Sequence, residues 1–211
     1  MLGQSKKAFG FLELILVLAL LGLVAWMILP HLNPLNSKLD TAAKRLILYL
    51  QQTRYQAMLN NPYSSDDALW HKKRWTLKFL NCTNESDGLY YAIYSDTNKT
   101  GQIAKDETLK DPLTQKYIYN NNQCEKRKDR SAFTLLTKEF GITEVKISCN
   151  DTSTIGQLSF GYDGKLYSRL SILEYDSDAY LVDKPCNIRL SNGKQSRTIV
   201  VEPITGYIHF Q

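Results

Sequence analysis

Residues 9–30 read Phe-Gly-Phe-Leu-Glu-Leu-Ile-Leu-Val-Leu-Ala-Leu-Leu-Gly-Leu-Val-Ala-Trp-Met-Ile-Leu-Pro, and this segment holds the longest apolar run of the chain. Residues 14–29 carry no polar side chain, and Glu13 is the one charged residue of the segment. As a helix, the segment up to its proline would be about 31 Å long, which matches the hydrocarbon core of a bilayer. Two lysines just before it predict a cytoplasmic N-terminus. The sequence therefore predicts a transmembrane helix with the rest of the chain on the far side of the membrane.

Two simpler interpretations of this segment explain less. A secretory signal peptide has a shorter apolar run and a small-x-small cleavage site, and neither is present here. A plain signal anchor accounts for the apolar length but not for Glu13. A carboxylate inside a membrane segment costs about 2.5–3.5 kcal/mol and implies a partner. The α-amino group of a neighbouring chain would be such a partner.

The segment resembles the class III (prepilin) signal of type IV pilins and type II secretion pseudopilins. That signal has a short basic leader, a small residue, and a cut before a hydrophobic residue, with Glu at the fifth mature position. The resemblance implies that a prepilin peptidase cuts between Ala8 and Phe9, that Phe9 is N-methylated, and that Glu13 is the fifth mature residue. Gly22 and Pro30 fall where pilins commonly carry Gly and Pro. With Glu13, they are the residues that we expect to serve filament assembly.

The match departs from the usual pattern at one position. Ala8 replaces the customary glycine before the cut, a replacement that prepilin peptidases accept in some lineages. Gly10 is the other glycine available, but a cut after Gly10 would make Glu13 third, out of register. We therefore place the cut before Phe9. Removal of the leader takes away two lysines and lowers the net charge from +5 to +3.

A helical pattern follows the apolar segment. Apolar and small residues recur at steps of three and four, which predicts one buried face: Leu39, Ala42, Ala43, Leu46, Leu50, Thr53 and Ala57. Together the two segments predict one stem helix of about 75 Å from Phe9 to Leu59, kinked or locally melted at Pro30 and Pro34. Pro62 marks its end.

Strand and turn signals dominate from residue 70 onwards. Two hairpins are predicted, one around Asp163–Gly164 and one around Asn192–Gly193. Residues 155–210 resemble the globular head of GspH/FimT-type minor pseudopilins, through Phe160-Gly-Tyr-Asp-Gly-Lys, the second hairpin and the closing Thr205-Gly-Tyr-Ile strand. Residues 61–150 match no pattern that we can name.

The expected fold class is therefore α+β. A long N-terminal transmembrane and stem helix would carry a periplasmic head of antiparallel β-sheet, as in pilins. The expected divisions are a leader at 1–8, the transmembrane half of the helix at 9–30, its amphipathic half at 31–60, an insertion-rich part of the head at 61–150, and a GspH/FimT-like β part at 151–211.

All four cysteines follow the apolar segment: Cys82, Cys124, Cys149 and Cys186. On the membrane orientation above they lie in the oxidising periplasm, so we expect two disulfides. Four cysteines allow three pairings, of which we choose Cys82–Cys124 and Cys149–Cys186. A zinc site is the alternative, but no two cysteines are spaced by two to four residues, and the histidines are scattered at His31, His71 and His209.

No catalytic pattern is present in the sequence. It lacks a Gly-x-Ser-x-Gly elbow, a phosphate-binding loop and a His-Glu-x-x-His helix. We interpret the acidic pairs Asp66–Asp67 and Asp176–Asp178 as solvated loops rather than metal ligands. We therefore predict a protein that is not an enzyme and has neither a metal nor a cofactor.

Basic residues form two clusters and a pair, which could bind a nucleic-acid backbone while Trp75 stacks on a base. The candidate DNA-binding residues are Lys72, Lys73, Arg74, Trp75, Lys126, Arg127, Lys128, Arg130, Lys194 and Arg197. The resemblance to FimT-like proteins adds an association with DNA uptake. A solvated basic face stays open as the other interpretation, because a net charge of +5 lacks the density of a dedicated nucleic-acid binder.

One candidate modification site stands in the polar stretch. Asp96-Thr-Asn98-Lys-Thr100 resembles the sequon of bacterial periplasmic N-glycosylation, which has an acid two residues before the Asn. Asn98 is therefore a candidate acceptor, and a chance occurrence of the motif stays open.

Composition excludes a disordered chain, since 43% of the 211 residues are hydrophobic and 11% are aromatic. The expected function is that of a minor pseudopilin in a type II secretion-like or type IV pilus-like filament. The resemblance implies a single-pass protein of the bacterial inner membrane with its head in the periplasm. Its partners would be other pilins, the prepilin peptidase, the inner-membrane assembly platform and lipid. The alternatives are a DNA-binding minor pilin of a transformation pilus and a plain membrane-anchored periplasmic domain.

Overall fold

The computed structural model of the chain describes residues 10–28, 34–84 and 88–211. The leader at 1–8, the predicted cleavage residue Phe9 and the predicted assembly residue Pro30 lie outside these ranges. The chain divides into two compact units, Met1–Leu35 and Asn36–Gln211.

Helix α1 spans Phe11–Ile28 in the first unit. It starts with a reciprocal cap, because the amide N–H of Gly10 donates to Oε2 of Glu13 at 3.1 Å and the amide of Glu13 donates to the carbonyl of Gly10 at 3.0 Å. A carboxylate in the first turn also interacts favourably with the positive end of the helix dipole. Glu13 therefore stabilises the start of its own helix.

The long N-terminal stem helix predicted from the sequence is not seen. The described residues form two helices of seven or more residues instead, α1 and α2 (Pro34–Leu59). Pro34 is the first residue of α2 within the described ranges, and proline is well tolerated in the first turn of a helix.

The transmembrane part of the expectation is also wrong. Helix α1 has 18 residues. Helix α2 is longer but has one polar face. Within residues 10–28, 34–84 and 88–211, no helix combines the length and the apolar character needed to cross a membrane. For the described residues, the predicted fold class is thus corrected to two helices of seven or more residues and two antiparallel β-sheets.

Helix α2 buries the face that its sequence pattern predicts. The seven predicted positions are at most 2% exposed, which confirms the prediction of a buried face. Tyr49, which the pattern did not include, is fully buried beside them. From residue 36 onwards α2 belongs to the second unit, and its buried side chains form one hydrophobic cluster with side chains of both sheets.

The second unit also contains two antiparallel four-stranded sheets. The first has the order β2–β1–β4–β5, with β1 at Thr76–Asn81, β2 at Leu89–Tyr94, β4 at Gln157–Phe160 and β5 at Leu166–Tyr167. The second has the order β3–β6–β7–β8, with β3 at Glu144–Ile147, β6 at Cys186–Ser191, β7 at Ser196–Val201 and β8 at Ile208–Phe210. Each sheet combines strands from both sides of residue 150, so the predicted division there separates no structural layer.

Both predicted hairpins are present. Strands β4 and β5 pair around Asp163–Gly164, and β6 pairs with β7 around Asn192–Gly193. Gly164 and Gly193 each have φ near +82°, a conformation that glycine adopts without a Cβ clash. A short helix, α3 (Leu136–Phe140), lies in the connections, as do the 3₁₀ turns Trp70–Lys73, Lys105–Glu107 and Ala132–Thr134.

Candidate functional site

The N-terminal helix carries the largest group of exposed apolar side chains among the described residues. Eleven of them are between 44% and 79% exposed: Phe11, Leu14, Ile15, Leu16, Val17, Leu18, Leu20, Leu21, Leu23, Val24 and Trp26. They follow one another in sequence and so cover every side of the helix. A helix that is apolar all round is normally buried, and large exposed apolar patches mark interaction sites. The surface of α1 is therefore a candidate assembly surface.

Gly22 has no role that the described chain explains. A Cβ at this position would meet no atom within 4 Å, and glycine in a helix interior costs about 1 kcal/mol relative to alanine. Glycine does allow a close approach of another backbone. Its predicted role in assembly stays a prediction.

The basic cluster at residues 72–75 is largely engaged within the head. The ammonium group of Lys73 lies 2.7 Å from the carboxylate of Asp67. The hydrogen bond from Lys73 is the main reason why the pKa of Asp67 is lowered. Trp75 is half-buried against the core. Lys72 forms no ion pair that the structure describes.

Arg74 is a structural residue rather than a free cation. It is only 4% exposed, and its guanidinium donates to the carbonyl of Ser177 at 2.6 Å and lies over the ring of Tyr167 at 3.8 Å. Burial lowers its pKa. We infer that Arg74 anchors the loop before β6 and is not available to a phosphate.

The second basic cluster is also mostly paired. Lys126 forms an ion pair with Glu139, and Arg127 pairs with Glu125 at 2.9 Å. Arg130 donates to the side-chain oxygens of its neighbours Asn120 and Asn121. A nucleic-acid backbone would have to displace these partners.

The third basic pair lies in the other sheet. Arg197 on β7 donates to Asp40 of α2 at 2.6 Å, and Lys194 is exposed in the β6–β7 turn. Of the ten candidates, Lys72, Lys128 and Lys194 are the basic residues without a described ion pair or side-chain hydrogen bond, and they lie on three different segments. Most of the predicted DNA-binding cations are therefore already engaged by partners within the chain.

The cysteines pair as chosen from the sequence. Cys82 bonds to Cys124, with Cα atoms 5.8 Å apart, and Cys149 bonds to Cys186, with Cα atoms 5.3 Å apart. The first bridge links the residue after β1 to Cys124, which lies in the irregular segment after β2. The second joins the end of β3 to the start of its neighbour β6. Disulfides of this kind persist in oxidising compartments.

Asn98 lies in a tightly held turn. Its side chain is exposed, and its Oδ1 accepts from the amide of Thr100 at 3.0 Å. Asp96, the acid of the sequon, is buried, and its two oxygens accept from the amides of Thr100 and Gly101. An enzyme that reads this acid would have to act before the turn forms, and glycosylation of Asn98 stays a prediction.

One residue of each acidic pair singled out from the sequence is engaged by other side chains of the head. Asp67 binds Lys73 and Lys99, and Asp178 accepts from the hydroxyl of Tyr167 at 3.0 Å. In the part of the chain that the structure describes, no group of three His, Cys, Asp or Glu side chains is placed to hold a metal ion.

A cavity lies in the second unit. Its volume is about 550 Å³, and Leu59, Pro62, Lys73, Trp75 and Glu107 are among its lining residues. Glu107 is a single acidic residue in an irregular segment, so no sequence period or motif marked it. The cavity combines residues from three separate parts of the chain.

Comparison of the chain with protein-family models, with curated proteins and with solved structures found no match. The resemblance to pilin-type proteins therefore stays a prediction.

Proposed function

We propose that the chain is a subunit of a pilin-type filament, of the type II secretion or type IV pilus class, that joins its neighbours through α1. The observation that carries the proposal is the exposure of apolar side chains on every side of this helix. Apolar helices from other subunits would cover such a surface and remove it from water.

Two further observations support this proposal. Ala8, Phe9 and Glu13 stand in the register of a prepilin signal, so a prepilin peptidase would release a mature chain that begins at Phe9. The two disulfides of the head suit a periplasmic or extracellular location, because such bonds persist in oxidising compartments. The partners would then be other pilins and the assembly platform of the filament.

Glu13 would have two roles that can be separated. Within its own chain, Oε2 of Glu13 accepts from the amide of Gly10. In a filament, its negative charge would also pair with the α-amino group of the mature N-terminus of a neighbour. Glutamine keeps a side-chain oxygen for the cap but has no charge, whereas alanine loses both.

The test is filament assembly of Glu13→Gln and Glu13→Ala in the native host. We expect both variants to assemble poorly, at less than about a tenth of the wild-type level, because a charged hydrogen-bonded partner is lost in an apolar surrounding. The measurement is the amount of the chain in sheared filaments relative to its amount in the cell. If Glu13→Gln assembled like wild type while Glu13→Ala failed, capping alone would be the role of this residue.

The mass of the N-terminal peptide tests the processing step independently. We expect a methylated Phe9 at the N-terminus of protein purified from its own cells. An intact Met1 would contradict the filament proposal. DNA binding gains no support from the described contacts, because most of the candidate cations are already paired.

A further inference from the structure

The cavity in the second unit is built from three segments. Residues 59–62 follow the last turn of α2, Lys73 and Trp75 lead into β1, and residues 95–108 form the third wall. Its volume of about 550 Å³ lies in the range of small-ligand pockets. All its lining residues belong to the unit Asn36–Gln211.

Glu107 has one carboxylate oxygen without a partner. Its side chain is 8% exposed. Oε1 accepts from the hydroxyl of Thr97 at 2.7 Å and from the amide of Asn98 at 3.0 Å. Oε2 is buried and has no hydrogen-bond partner among the described residues. Leaving a buried charged oxygen unpaired is costly, so a ligand that donates a hydrogen bond to Oε2 would be stabilised here.

The hydroxyl groups around the cavity have already donated their hydrogens. Ser95 donates to the carbonyl of Lys73 at 2.7 Å, Thr97 donates to Glu107, and Thr108 donates to the carbonyl of Lys105 at 2.6 Å. A hydroxyl has one hydrogen and two lone pairs. These three groups can therefore only accept from a ligand.

The charges of the walls also favour a cation. Lys73 is the one basic residue of the described lining, and its ammonium group is held by Asp67 at 2.7 Å. Asp106 is exposed beside Glu107 and adds a second carboxylate. The carbonyls at the C-terminal end of α2 add partial negative charge, and Trp75 offers a ring for a cation–π contact.

We propose that this cavity binds a primary alkylammonium group, with Oε2 of Glu107 as its charged acceptor. An ammonium group has three donors and no acceptor, which matches the unused acceptors of the walls. A guanidinium fork pairs best with both oxygens of a carboxylate, but Oε1 is already occupied. The group belongs to a free amine or to a lysine side chain of a partner. The inference does not rest on the filament function.

The test is titration of the purified full chain, kept in a non-ionic detergent, with n-butylammonium and with the matched neutral compound n-butanol. We expect saturable heat of binding for n-butylammonium, with shifts of the amide resonances of Thr97 and Asn98, and neither effect for n-butanol. Butyltrimethylammonium keeps the charge but cannot donate hydrogen bonds, so we expect it to bind about tenfold more weakly or worse. Equal binding of all three compounds, or no saturable binding of n-butylammonium, would overturn the proposal.

Glu107→Gln keeps an oxygen for Thr97 and Asn98 and removes the charge, and we expect it to lower the affinity for n-butylammonium about tenfold or more. Glu125→Gln, an exposed carboxylate that pairs with Arg127 outside this cavity, is the matched control and should leave the affinity unchanged. Unchanged binding by Glu107→Gln would overturn the assignment.

Tighter binding of cadaverine than of Nα-acetyl-lysine methylamide would indicate a free amine, and the reverse order would indicate a partner's lysine. Both orders support an ammonium site.

Discussion

Tyr49 and Asp111 form a buried polar contact that joins α2 to the irregular segment after β2. The hydroxyl of Tyr49 donates to Oδ2 of Asp111 at 2.5 Å, and Oδ1 of Asp111 accepts from the amides of Leu113 and Thr114. Burial raises the pKa of Asp111, but the hydrogen bonds from Tyr49 and the two amides outweigh it, so the pKa is lowered overall. The ionised form of Asp111 therefore stabilises the folded chain.

At the same residue scale, Tyr49→Phe should lower the free energy of unfolding by about 1.5–3 kcal/mol at pH 7, because it removes a hydrogen bond to a charged group. With its pKa lowered on folding, Asp111 contributes fully above its unfolded pKa of about 3.9. That contribution is lost as the pH falls through the folded pKa. The difference between wild type and variant in urea unfolding should thus shrink at low pH. Tyr55→Phe on the same helix, at a residue that is 59% exposed, is the control, and an equal loss there would contradict this assignment.

At the scale of elements, α2 shows how a helix divides its faces between core and solvent. Leu46 is fully buried and Leu48 is 45% exposed, although they are two residues apart. Leu46→Ala should destabilise the chain by about 2–5 kcal/mol through lost burial and a cavity, whereas Leu48→Ala should change it by less than about 1 kcal/mol. Urea unfolding followed by tryptophan fluorescence measures both. Similar losses would mean that α2 buries a different face.

At the scale of the whole molecule, the two disulfides close loops of 42 and 37 residues. The chain-entropy model assigns each about 4 kcal/mol, a large fraction of the 5–15 kcal/mol or so by which domains are stable. Replacing Cys82 and Cys124 together by alanine should therefore lower the unfolding free energy by about 2–4 kcal/mol, as measured by urea unfolding without reductant. Adding dithiothreitol should destabilise this variant further, because the second disulfide is still present. If dithiothreitol left the unfolding free energy of the wild type unchanged, neither disulfide would contribute to stability as predicted.

Sequence pattern was sufficient for features that follow a local rule. The buried face of α2 followed from its period, and the turns at Gly164 and Gly193 followed from Asp-Gly and Asn-Gly pairs, because these signals depend on neighbouring residues alone. The prediction of a long stem helix was wrong. An apolar run shows that a segment avoids water, but it does not show where a helix begins or ends.

Partners distant in the chain could be known only from the folded molecule. Arg197 meets Asp40 across 157 residues, and Tyr49 meets Asp111 across 62. Most of the lysines and arginines that were candidates for DNA binding form ion pairs or hydrogen bonds within the chain. A pattern of charges in the sequence does not show which residue each cation will contact. Glu107 acquired an unpaired oxygen only when three distant segments enclosed it. Burial, which removes the water that would otherwise satisfy these groups, is a property of the packed chain and not of any one segment.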